Sequence, residues 1–503
     1  MTEEEYKNLC KYCDSILLAE DITVEQSAVS FLHILREHPV FLSSYEHFFR
    51  SENRTKFFSV MYVNSLKNKI ALGYRLLKSI VYFNTSWLET AINLPLRADI
   101  LFVSHLLNES RIGEDIYFGD LPKKLAQEGY SVVIAYINHT GISGKKLLEN
   151  IDSKDVGIAV IPETLSFWGE LRLYCRLKKS SLNWKKKLKE QKTGLYKNIL
   201  KYAISDLDSH STAKNLKIGH QVANISESLN AKAVIVTYEG HAWERVVFQE
   251  IHSKPSKILC LGYIHAAVFR LQHSILRNMP RPYEPDMLLT GGSVAKRQLQ
   301  NKMSLMHLPI LVLGSSRTLV QNKIGKAFPE YENNKNICLI IPEGIWEEYD
   351  TLLNFSIKCA HLCPRINFVI RRHPLMQGKS RKIDQAKLDS APSNFAVSTK
   401  PLNEDIQASK WAIYRGSTAI IQSVIGGLVP IYIELAGEMI IDPLYEVAGN
   451  RASLATPWDF KLFTESKDWY DEKRKSILIK YCLDFYEPFK PRVLKEIIDK
   501  HHE

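Results

Sequence analysis

WAIYRGSTAIIQSVIGGLVPIYI, residues 411–433, has the clearest pattern of secondary structure in the chain. Its ends, Trp411–Tyr414 and Val429–Ile433, are short apolar runs of the kind that form buried strands. The apolar segment between them, which closes on Gly426-Gly427, is long enough for a helix and a turn. A strand, a helix and a second strand in succession make a βαβ unit, so this stretch predicts a parallel sheet rather than a membrane span.

The same alternation of short apolar runs and helix-length segments extends outward from this stretch. Apolar runs separated in this way indicate parallel strands that are buried on both faces. Towards the amino terminus the predicted strands are Asp99–Val103, Ser131–Ile137, Val156–Ile161, Ala233–Tyr238, Ile258–Ile264 and Asp286–Leu289. Nearer to the opening stretch they are Pro309–Leu313, Ile337–Ile341, Asn367–Ile370 and Phe395–Val397. Two successive doubly wound sheets leave a cleft between them, with ligands at the carboxyl ends of the strands.

We therefore expect an α/β protein of two Rossmann-like domains with helices at both ends of the chain. The first domain is expected at residues 96–305 and carries a basic helical insertion at 165–205. The second domain is expected at 306–445. Residues 1–95 have apolar positions at helical spacing and no clean strand signal, so they are expected to form a helical region. Residues 446–503 are expected to form helices that pack back on the first domain.

Length and composition are those of an ordered globular protein. The 503 residues are 45% hydrophobic and 24% charged, which is enough for more than one core. There is no apolar run of about eighteen residues, and the amino-terminal MTEEEYKN lacks the layout of a signal peptide. We expect a cytoplasmic protein that could lie peripherally at the inner face of a membrane.

The eight cysteines do not form a recognisable metal site. The pairs Cys10/Cys13 and Cys359/Cys363 lack a second cysteine or histidine pair at zinc-site spacing. Reduced thiols in helices or cores are the expectation, with no metal and no cofactor.

The net charge of +11 is concentrated in one segment, residues 171–201. This segment contains eleven lysine and arginine residues against one glutamate, with leucine, tyrosine and tryptophan interleaved. A basic amphipathic helix of this kind fits an anionic membrane surface, and it would also suit a phosphate-rich polymer. The plain alternative is a solvated helical insertion. We carry contact with an anionic membrane surface as a hypothesis and expect no nucleic-acid partner.

Three short motifs fall at the ends of predicted strands, where an α/β fold binds its ligands. The first motif is TYEGH, Thr237–His241, at the end of the strand Ala233–Tyr238. Glu239 offers a carboxylate that could deprotonate an acceptor hydroxyl or attack a sugar carbon. The alternative is that it caps the next helix. Gly240 and His241 are candidate contacts to the acceptor or the donor.

The second motif is Arg371-Arg372-His373-Pro374, after the strand Asn367–Ile370. Proline fixes the turn and the arginines add positive charge, so the ribose, base or phosphate of a nucleotide is the natural partner. Solvated arginines in a turn are the alternative.

The third motif is Arg415-Gly416-Ser417-Thr418, which joins the strand Trp411–Tyr414 to an apolar helix. Glycine permits close approach of the backbone, and hydroxyls with free amides at a helix start bind phosphate. The same hydroxyls could cap the helix, and the two roles are compatible.

Weaker signals point to the same cleft. Glu343-Gly344 follows the strand Ile337–Ile341, and Ser315-Ser316-Arg317 follows Pro309–Leu313. His265 follows the strand Ile258–Ile264 and could contact the acceptor or the donor, although a packed core histidine is the alternative. No GxxxxGK[ST] loop and no GxGxxG opening the first sheet is present, which argues against a P-loop ATPase and a dinucleotide enzyme.

The order of the three motifs resembles the GT-B superfamily of glycosyltransferases, especially bacterial enzymes that use CMP-activated ulosonic acids. The sialyltransferases of that group carry an acidic-acidic-Gly motif in the first domain, then His-Pro and Ser-Ser/Thr motifs in the second. Glu239-Gly240, His373-Pro374 and Ser417-Thr418 match these by position. Tyr238 stands where the first of the two acids would be, and Gly416 precedes a single Ser-Thr pair.

The resemblance implies a GT-B-like fold and transfer of an ulosonic acid, Kdo or sialic-acid-like, from a CMP donor to a surface-polysaccharide or lipid-linked acceptor. It assigns base or nucleophile duty to Glu239 and leaving-group stabilisation to His373. The other residues expected to bind the donor nucleotide are Arg372, Pro374, Gly416, Ser417, Thr418, Glu343, Gly344 and Ser315.

Three rival functions remain open at this point. A CDP-glycerol or polyol-phosphate transferase would share the Arg-x-His-Pro and serine-containing turns. A UDP-sugar transferase or nucleotide-sugar 2-epimerase is a second possibility. The third belongs to another class, a non-catalytic protein that binds carbohydrate or a polyanion.

Overall fold

The computed structural model of the protein contains two α/β units, which are preceded by helices. The residues that the structure describes are 1–49, 70, 73–74, 77, 80, 87–108, 115–149, 151, 155–191, 193–318, 336–376, 381–466 and 470–502.

Eight strands within these ranges form the first sheet. They are β1 (Ala91–Ile92), β2 (Ile100–Leu106), β3 (Val132–Asn138), β4 (Gly157–Ile161), β5 (Ala233–Thr237), β6 (Leu259–Ile264), β7 (Met287–Thr290) and β8 (Ile310–Val312). Their order is β1-β4-β3-β2-β5-β6-β7-β8, and every neighbouring pair is parallel except β1 and β4. The strand order reverses between β2 and β5, which is where a doubly wound sheet opens a ligand crevice.

The helices described before and around this sheet cover both of its faces. They are α1 (Glu3–Leu17), α2 (Val24–Ser27), α3 (Pro39–Leu42), α4 (Leu121–Gln127), α5 (Gly144–Leu148), α6 (Phe167–Glu190), α7 (Leu195–Leu207), α8 (His210–Ser228), α9 (Ala242–His252), α10 (His273–Leu276) and α11 (Ser293–Gln300). Because side chains alternate along a strand, Ala135 of β3 joins one core cluster and Ile134 joins the opposite one. Burial on both faces explains why the strands read as continuous apolar runs.

The second sheet has six described strands. They are β9 (Ile337–Ile340), β10 (Asn367–Ile370), β11 (Phe395–Val397), β12 (Trp411–Tyr414), β13 (Val429–Ile433) and β14 (Ala452–Leu454). Their order is β11-β10-β9-β12-β13-β14, all parallel. The helices of this part are α12 (Trp346–Leu362), α13 (Lys382–Asp389), α14 (Leu402–Ala408), α15 (Ala419–Ile425), α16 (Pro457–Glu465), α17 (Glu472–Leu483) and α18 (Pro491–His502). The opening stretch of sequence is thus β12, α15 and β13, as predicted.

The two-sheet α/β architecture confirms the expected fold class, but two strands lie outside their expected domains. The strand expected at Pro309–Leu313 as the start of the second domain is β8, which pairs with β7 at the edge of the first sheet. The segment after residue 445 was expected to be helical, yet β14 pairs with β13 as a sixth strand of the second sheet. Short edge strands of three residues carry too little pattern to be assigned to a sheet from sequence.

The carboxy-terminal helices connect the two units. Leu478 and Tyr481 of α17 belong to the core of the second unit, whereas Leu494 and Ile498 of α18 belong to the core beneath the first sheet. The last helix therefore packs on the first unit.

The basic segment is part of the protein core on one side. Leu173, Leu177 and Trp184 of α6 are buried in a cluster with α1, α7 and neighbouring helices. Lys185 and Lys186 lie on the outer, exposed face. Contact with an anionic membrane surface stays a hypothesis for the exposed basic face alone, because most of the apolar face is occupied by the protein itself.

No described helix combines the length and the apolar character needed to cross a membrane. All eight cysteines are free thiols, and Cys175 is the exposed one.

Candidate functional site

A cavity of about 640 Å³ opens between the carboxyl ends of the two sheets. It brings together most of the site residues that were predicted from the sequence. Those that line it are Glu239, His241, His265, Glu343, Gly344, Arg372, His373, Pro374, Gly416, Ser417 and Thr418. Residues separated by almost two hundred positions thus share one cleft, with the first sheet supplying one wall and the second sheet the other.

Two nominated residues, Gly240 and Ser315, are not among those that line the cleft. Gly240 has φ 83°, and a Cβ at this position would lie 2.5 Å from the backbone of Ser274, so glycine is required by the turn. Ser315 is buried, and its hydroxyl accepts a hydrogen bond of 3.1 Å from the backbone N–H of Arg317. Both residues therefore shape the site without contacting its space.

The loop that carries Glu239 is held by a different glutamate. The carboxylate of Glu244, in the first turn of α9, accepts hydrogen bonds from the backbone N–H groups of Glu239, Gly240 and His241 at 3.0, 2.7 and 2.9 Å. The alternative that Glu239 caps this helix is therefore wrong. Since Glu244 satisfies the loop, the Glu239 side chain is left to face the cleft.

Two histidines flank the Glu239 carboxylate. Its Oε2 lies 3.5 Å from Nε2 of His241, and its Oε1 lies 3.5 Å from Nε2 of His265. The His265 ring packs edge-on against Tyr117, with ring centroids 4.4 Å apart. The carboxylate is thus centred between two imidazoles at the mouth of β5 and β6.

The charge state of this group follows from burial and from its neighbours. Burial alone would raise the pKa of Glu239, but the hydrogen bond with His241 and the positive charges nearby lower it well below its usual range. Burial would lower the pKa of His241, yet its contact with Glu239 and the charge of Glu244 raise it. Burial lowers the pKa of His265 to about 4. At neutral pH the group therefore holds an ionised Glu239 and a neutral His265, and the contact with Glu239 shifts His241 towards its cationic form.

A second histidine pair lies next to this group and was not nominated from sequence. Nδ1 of His105, in β2, is 2.9 Å from Nε2 of His139, and the His105 ring stands edge-on to Trp243. Burial lowers the pKa of His105 to about 3, so this imidazole is neutral. Two isolated histidines carry no signal of their own, which is why sequence reasoning could not find them.

On the second wall, Glu343 lines the cleft, but its carboxylate is already paired. Its Oε2 accepts a hydrogen bond of 2.8 Å from Nη2 of Arg36, and its Oε1 lies 3.3 Å from Nε2 of His38. Burial acts to raise the pKa of Glu343, but these two partners lower it to about 2. The residue expected to touch the nucleotide is thus anchored to the amino-terminal region.

The glycines of the second wall fit around their neighbours. A Cβ on Gly416 would lie 1.7 Å from Oε1 of Glu343, and one on Gly344 would lie 2.7 Å from Nδ1 of His373. The strand-end loops of β9, β10 and β12 therefore interlock. Gly416 was predicted from the sequence to permit close approach of a ligand. In the structure, a glycine is required at this position because the Glu343 carboxylate occupies the space that a Cβ would need.

His373 and the hydroxyl pair complete this wall. Burial is the main cause that lowers the pKa of His373, so the imidazole is neutral and suited to hydrogen bonding. Thr418 is the N-cap residue of α15, but its side chain makes no capping hydrogen bond, so capping does not occupy this hydroxyl.

Two arginines give the cleft its positive charge. Arg317 hydrogen-bonds the Tyr486 hydroxyl at 3.4 Å and lies over that ring at 5.8 Å. Burial acts to lower the pKa of Arg317, and neighbouring tyrosines, Tyr486 first, raise it. Nε of Arg372 is buried without a hydrogen-bond partner among the described residues. By contrast, Arg371 is paired with Asp405 and Arg415 with Glu348 and Glu438. Half-buried cations that lack a carboxylate partner among the described residues favour an anionic ligand.

Comparisons with known proteins were made by sequence and by structure. No protein-family model matches the chain, and no curated protein sequence matches it. Solved structures that align with it include a trehalose 6-phosphate synthase from Burkholderia multivorans, at 10% identity and a TM-score of 0.47, covering 80% of this chain and 98% of that one. The calicheamicin glycosyltransferase CalG4 aligns at 10% identity and a TM-score of 0.45, with coverages of 80% and 98%.

A third similar structure is MurG from Acinetobacter baumannii, at 11% identity and a TM-score of 0.42, covering 80% of this chain and 99% of that one. Similarity at this level, with TM-scores below 0.5, carries no inference about what this chain does. The functional conclusion rests on the cleft and its residues.

Proposed function

We propose that this chain is a glycosyltransferase that binds a nucleotide-activated sugar in the cleft between its two α/β units. The observation that carries the proposal is the pairing of two walls. One wall presents an ionised Glu239 between two histidines, and the other presents His373, Ser417 and Thr418 with Arg317 and Arg372. A reactive carboxylate facing a phosphate-binding wall is the arrangement that sugar transfer from a nucleotide requires.

The second wall supports binding of the donor nucleotide. Arg317 and Arg372 offer positive charge that lacks a carboxylate partner among the described residues, and Ser417 and Thr418 line the same cleft. A phosphate is doubly suited to such a wall, because it neutralises the cations and accepts hydrogen bonds. His373 is the group that would stabilise the departing phosphate.

The first wall supports the chemical step. The acceptor oxygen forms a bond to the anomeric carbon while the bond from that carbon to the phosphate oxygen breaks, and its electron pair leaves on the nucleotide. The hydroxyl proton passes to the Glu239 carboxylate. His241 and His265 lower the pKa of Glu239, and an acceptor hydroxyl that displaces one of them would raise it. A nucleophilic role for Glu239 is the alternative for a retaining enzyme.

For the donor we propose a CMP-activated ulosonic acid, Kdo or sialic-acid-like, and for the acceptor a surface-polysaccharide or lipid-linked glycan. This finer proposal rests on the order of the Glu239-Gly240, His373-Pro374 and Ser417-Thr418 motifs along the chain; all of these residues except Gly240 line the cleft. The leaving group of such a donor is a single phosphate on the cytidine.

A thermal-shift titration with CMP, UDP and CDP tests the proposal. A ligand that binds only the folded state stabilises it, by about 2.7 kcal/mol at a hundred times its Kd. We expect CMP to raise the melting temperature most. A dominant response to CDP would favour a polyol-phosphate transferase, and one to UDP a UDP-sugar enzyme. Absence of any response would overturn the nucleotide site itself.

A pair of arginine variants places the response in the cleft. Arg372→Gln removes a cation at the carboxyl end of β10, and Arg365→Gln removes an exposed one just before the amino end of the same strand. The first should weaken CMP binding about tenfold or more, in line with a lost charge-assisted hydrogen bond. The second should leave it unchanged, and equal effects of the two would argue against the cleft.

A further inference from the structure

A second cavity, of about 430 Å³, adjoins the cleft on the side of the first sheet. One of its walls is the amino-terminal segment 30–45, and the other is the start of α9 with Asn215 of α8. Leu35, Arg36, Phe41 and His241 line both this cavity and the cleft. The two spaces therefore meet at the imidazole that contacts Glu239.

The chemistry of this second cavity differs from that of the cleft. Its described lining includes no carboxylate, and its one arginine, Arg36, is already paired with Glu343. Burial holds the pKa of His33 well below its usual range, so that imidazole is neutral. An anionic ligand would find no unpaired arginine or lysine here, so a phosphate chain is disfavoured.

The two exposed residues in this lining are an aromatic residue and a serine. Phe41 is 41% exposed although it stands at the edge of both cavities, and Trp243 lies deeper, with 7% exposure. Ser44 is exposed on the rim. An exposed ring at the mouth of a cavity is a surface on which the apolar C–H face of a sugar can pack, while hydroxyl and imidazole groups bind its hydroxyls.

We propose that segment 30–45 forms one wall of a subsite for an uncharged sugar residue of an oligosaccharide acceptor. This inference rests on the proposed function, because an acceptor bound in the subsite can react only if Glu239, which lies beside His241, takes part in sugar transfer. A sugar bound between Phe41 and Trp243 would reach the anomeric carbon of the donor through the end of the cavity that His241 lines. The amino-terminal helices, which no motif explained, then serve acceptor binding.

Two neighbouring serines provide a matched test. Ser44 lines the cavity, whereas Ser43 does not; both are exposed, and each hydroxyl donates to the carbonyl three residues earlier, at 3.0 and 2.7 Å. Ser44→Trp places a large ring at the rim of the cavity, and Ser43→Trp adds the same ring outside it. Neither substitution touches a residue of the donor wall.

Binding of the wild type and of both variants to a printed array of oligosaccharides, with CMP present, is the measurement. We expect the wild type and Ser43→Trp to bind the same glycans, and Ser44→Trp to bind them at least tenfold more weakly with an unchanged thermal shift for CMP. Equal glycan binding by both variants, or no glycan bound by the wild type, would overturn the subsite. A wild type that shows no thermal shift with any nucleotide would instead overturn the proposed function.

Discussion

At the residue scale, the cleft is built from carboxylates that have different tasks because they have different partners. Glu244 is buried and accepts three backbone N–H groups, so it fixes a loop. Glu343 is held by Arg36 and His38, so it joins two parts of the chain. Glu239 has imidazole partners at 3.5 Å, longer than a strong hydrogen bond, and 30% of its side chain is exposed. It is the one of these three that is placed to react.

Glu239→Gln should separate catalysis from binding. The amide keeps the shape of the side chain but cannot accept the proton or act as a nucleophile, so transfer from the nucleotide sugar that the wild type uses should fall by about 10²–10⁴. CMP affinity, measured by calorimetry, should stay near that of the wild type. Glu227→Gln, at an exposed position on α8, is the control and should change neither the transfer rate nor the CMP affinity. Full activity in Glu239→Gln would show that the carboxylate was wrongly assigned.

Gly416 offers a second prediction at this scale. In Gly416→Ala the new Cβ would lie 1.7 Å from Oε1 of Glu343, so the carboxylate must leave Arg36 and His38. We expect lower stability in urea unfolding, and a penalty that is smaller by about 1 kcal/mol or more when Glu343→Ala is already present. Additive effects of the two substitutions would contradict the interlocked packing of these loops.

At the scale of elements, the parallel strands were predictable because strands that are buried on both faces consist of short runs of apolar residues. Each predicted strand has a counterpart, shifted by up to three residues, and the strand-end motifs meet because parallel strands present their carboxyl ends along one edge. The sheet membership of β8 and β14 was not predictable, since three residues cannot specify a neighbour. Arg36 was out of reach for another reason: its bond to Glu343 spans 307 positions and no local pattern announces it.

The basic helix α6 shows how one pattern can have two physical causes. An amphipathic helix that lies on a membrane and one that packs against its own protein have the same spacing of apolar residues. Here Leu173, Leu177 and Trp184 pack against the amino-terminal helices. The exposed lysines remain a candidate contact for an anionic surface, through charge and not through insertion.

Trp184→Ala tests this assignment. Because Trp184 is 2% exposed in a cluster with α1 and α7, its truncation should cost about 3–5 kcal/mol in the free energy of unfolding. Leu182→Ala, on the same helix but at a side chain that is 60% exposed, should cost well under 1 kcal/mol. A stable Trp184→Ala protein that lost binding to anionic liposomes would instead favour a membrane-inserting role.

At the scale of the whole molecule, the two sheets are connected by contacts that border the cleft. Segment 35–41 reaches from the amino-terminal helices to Glu343, and the Arg36 guanidinium also lies over the Phe269 ring at 4.1 Å. At another place, the backbone N–H of Ser315 donates to the carbonyl of Glu487 at 2.8 Å, in the chain between α17 and α18. The residues that would bind the donor and those that would bind the acceptor are thereby held in one frame.

A crystal structure of the protein with CMP is the sharpest test of the proposed donor site. We expect the nucleotide in the cleft, with its phosphate within hydrogen-bond distance of Ser417 or Thr418 and of Arg317 or Arg372, and with His373 at the phosphate oxygen that would leave the sugar. CMP bound elsewhere, or an empty cleft at a CMP concentration that raises the melting temperature, would contradict it.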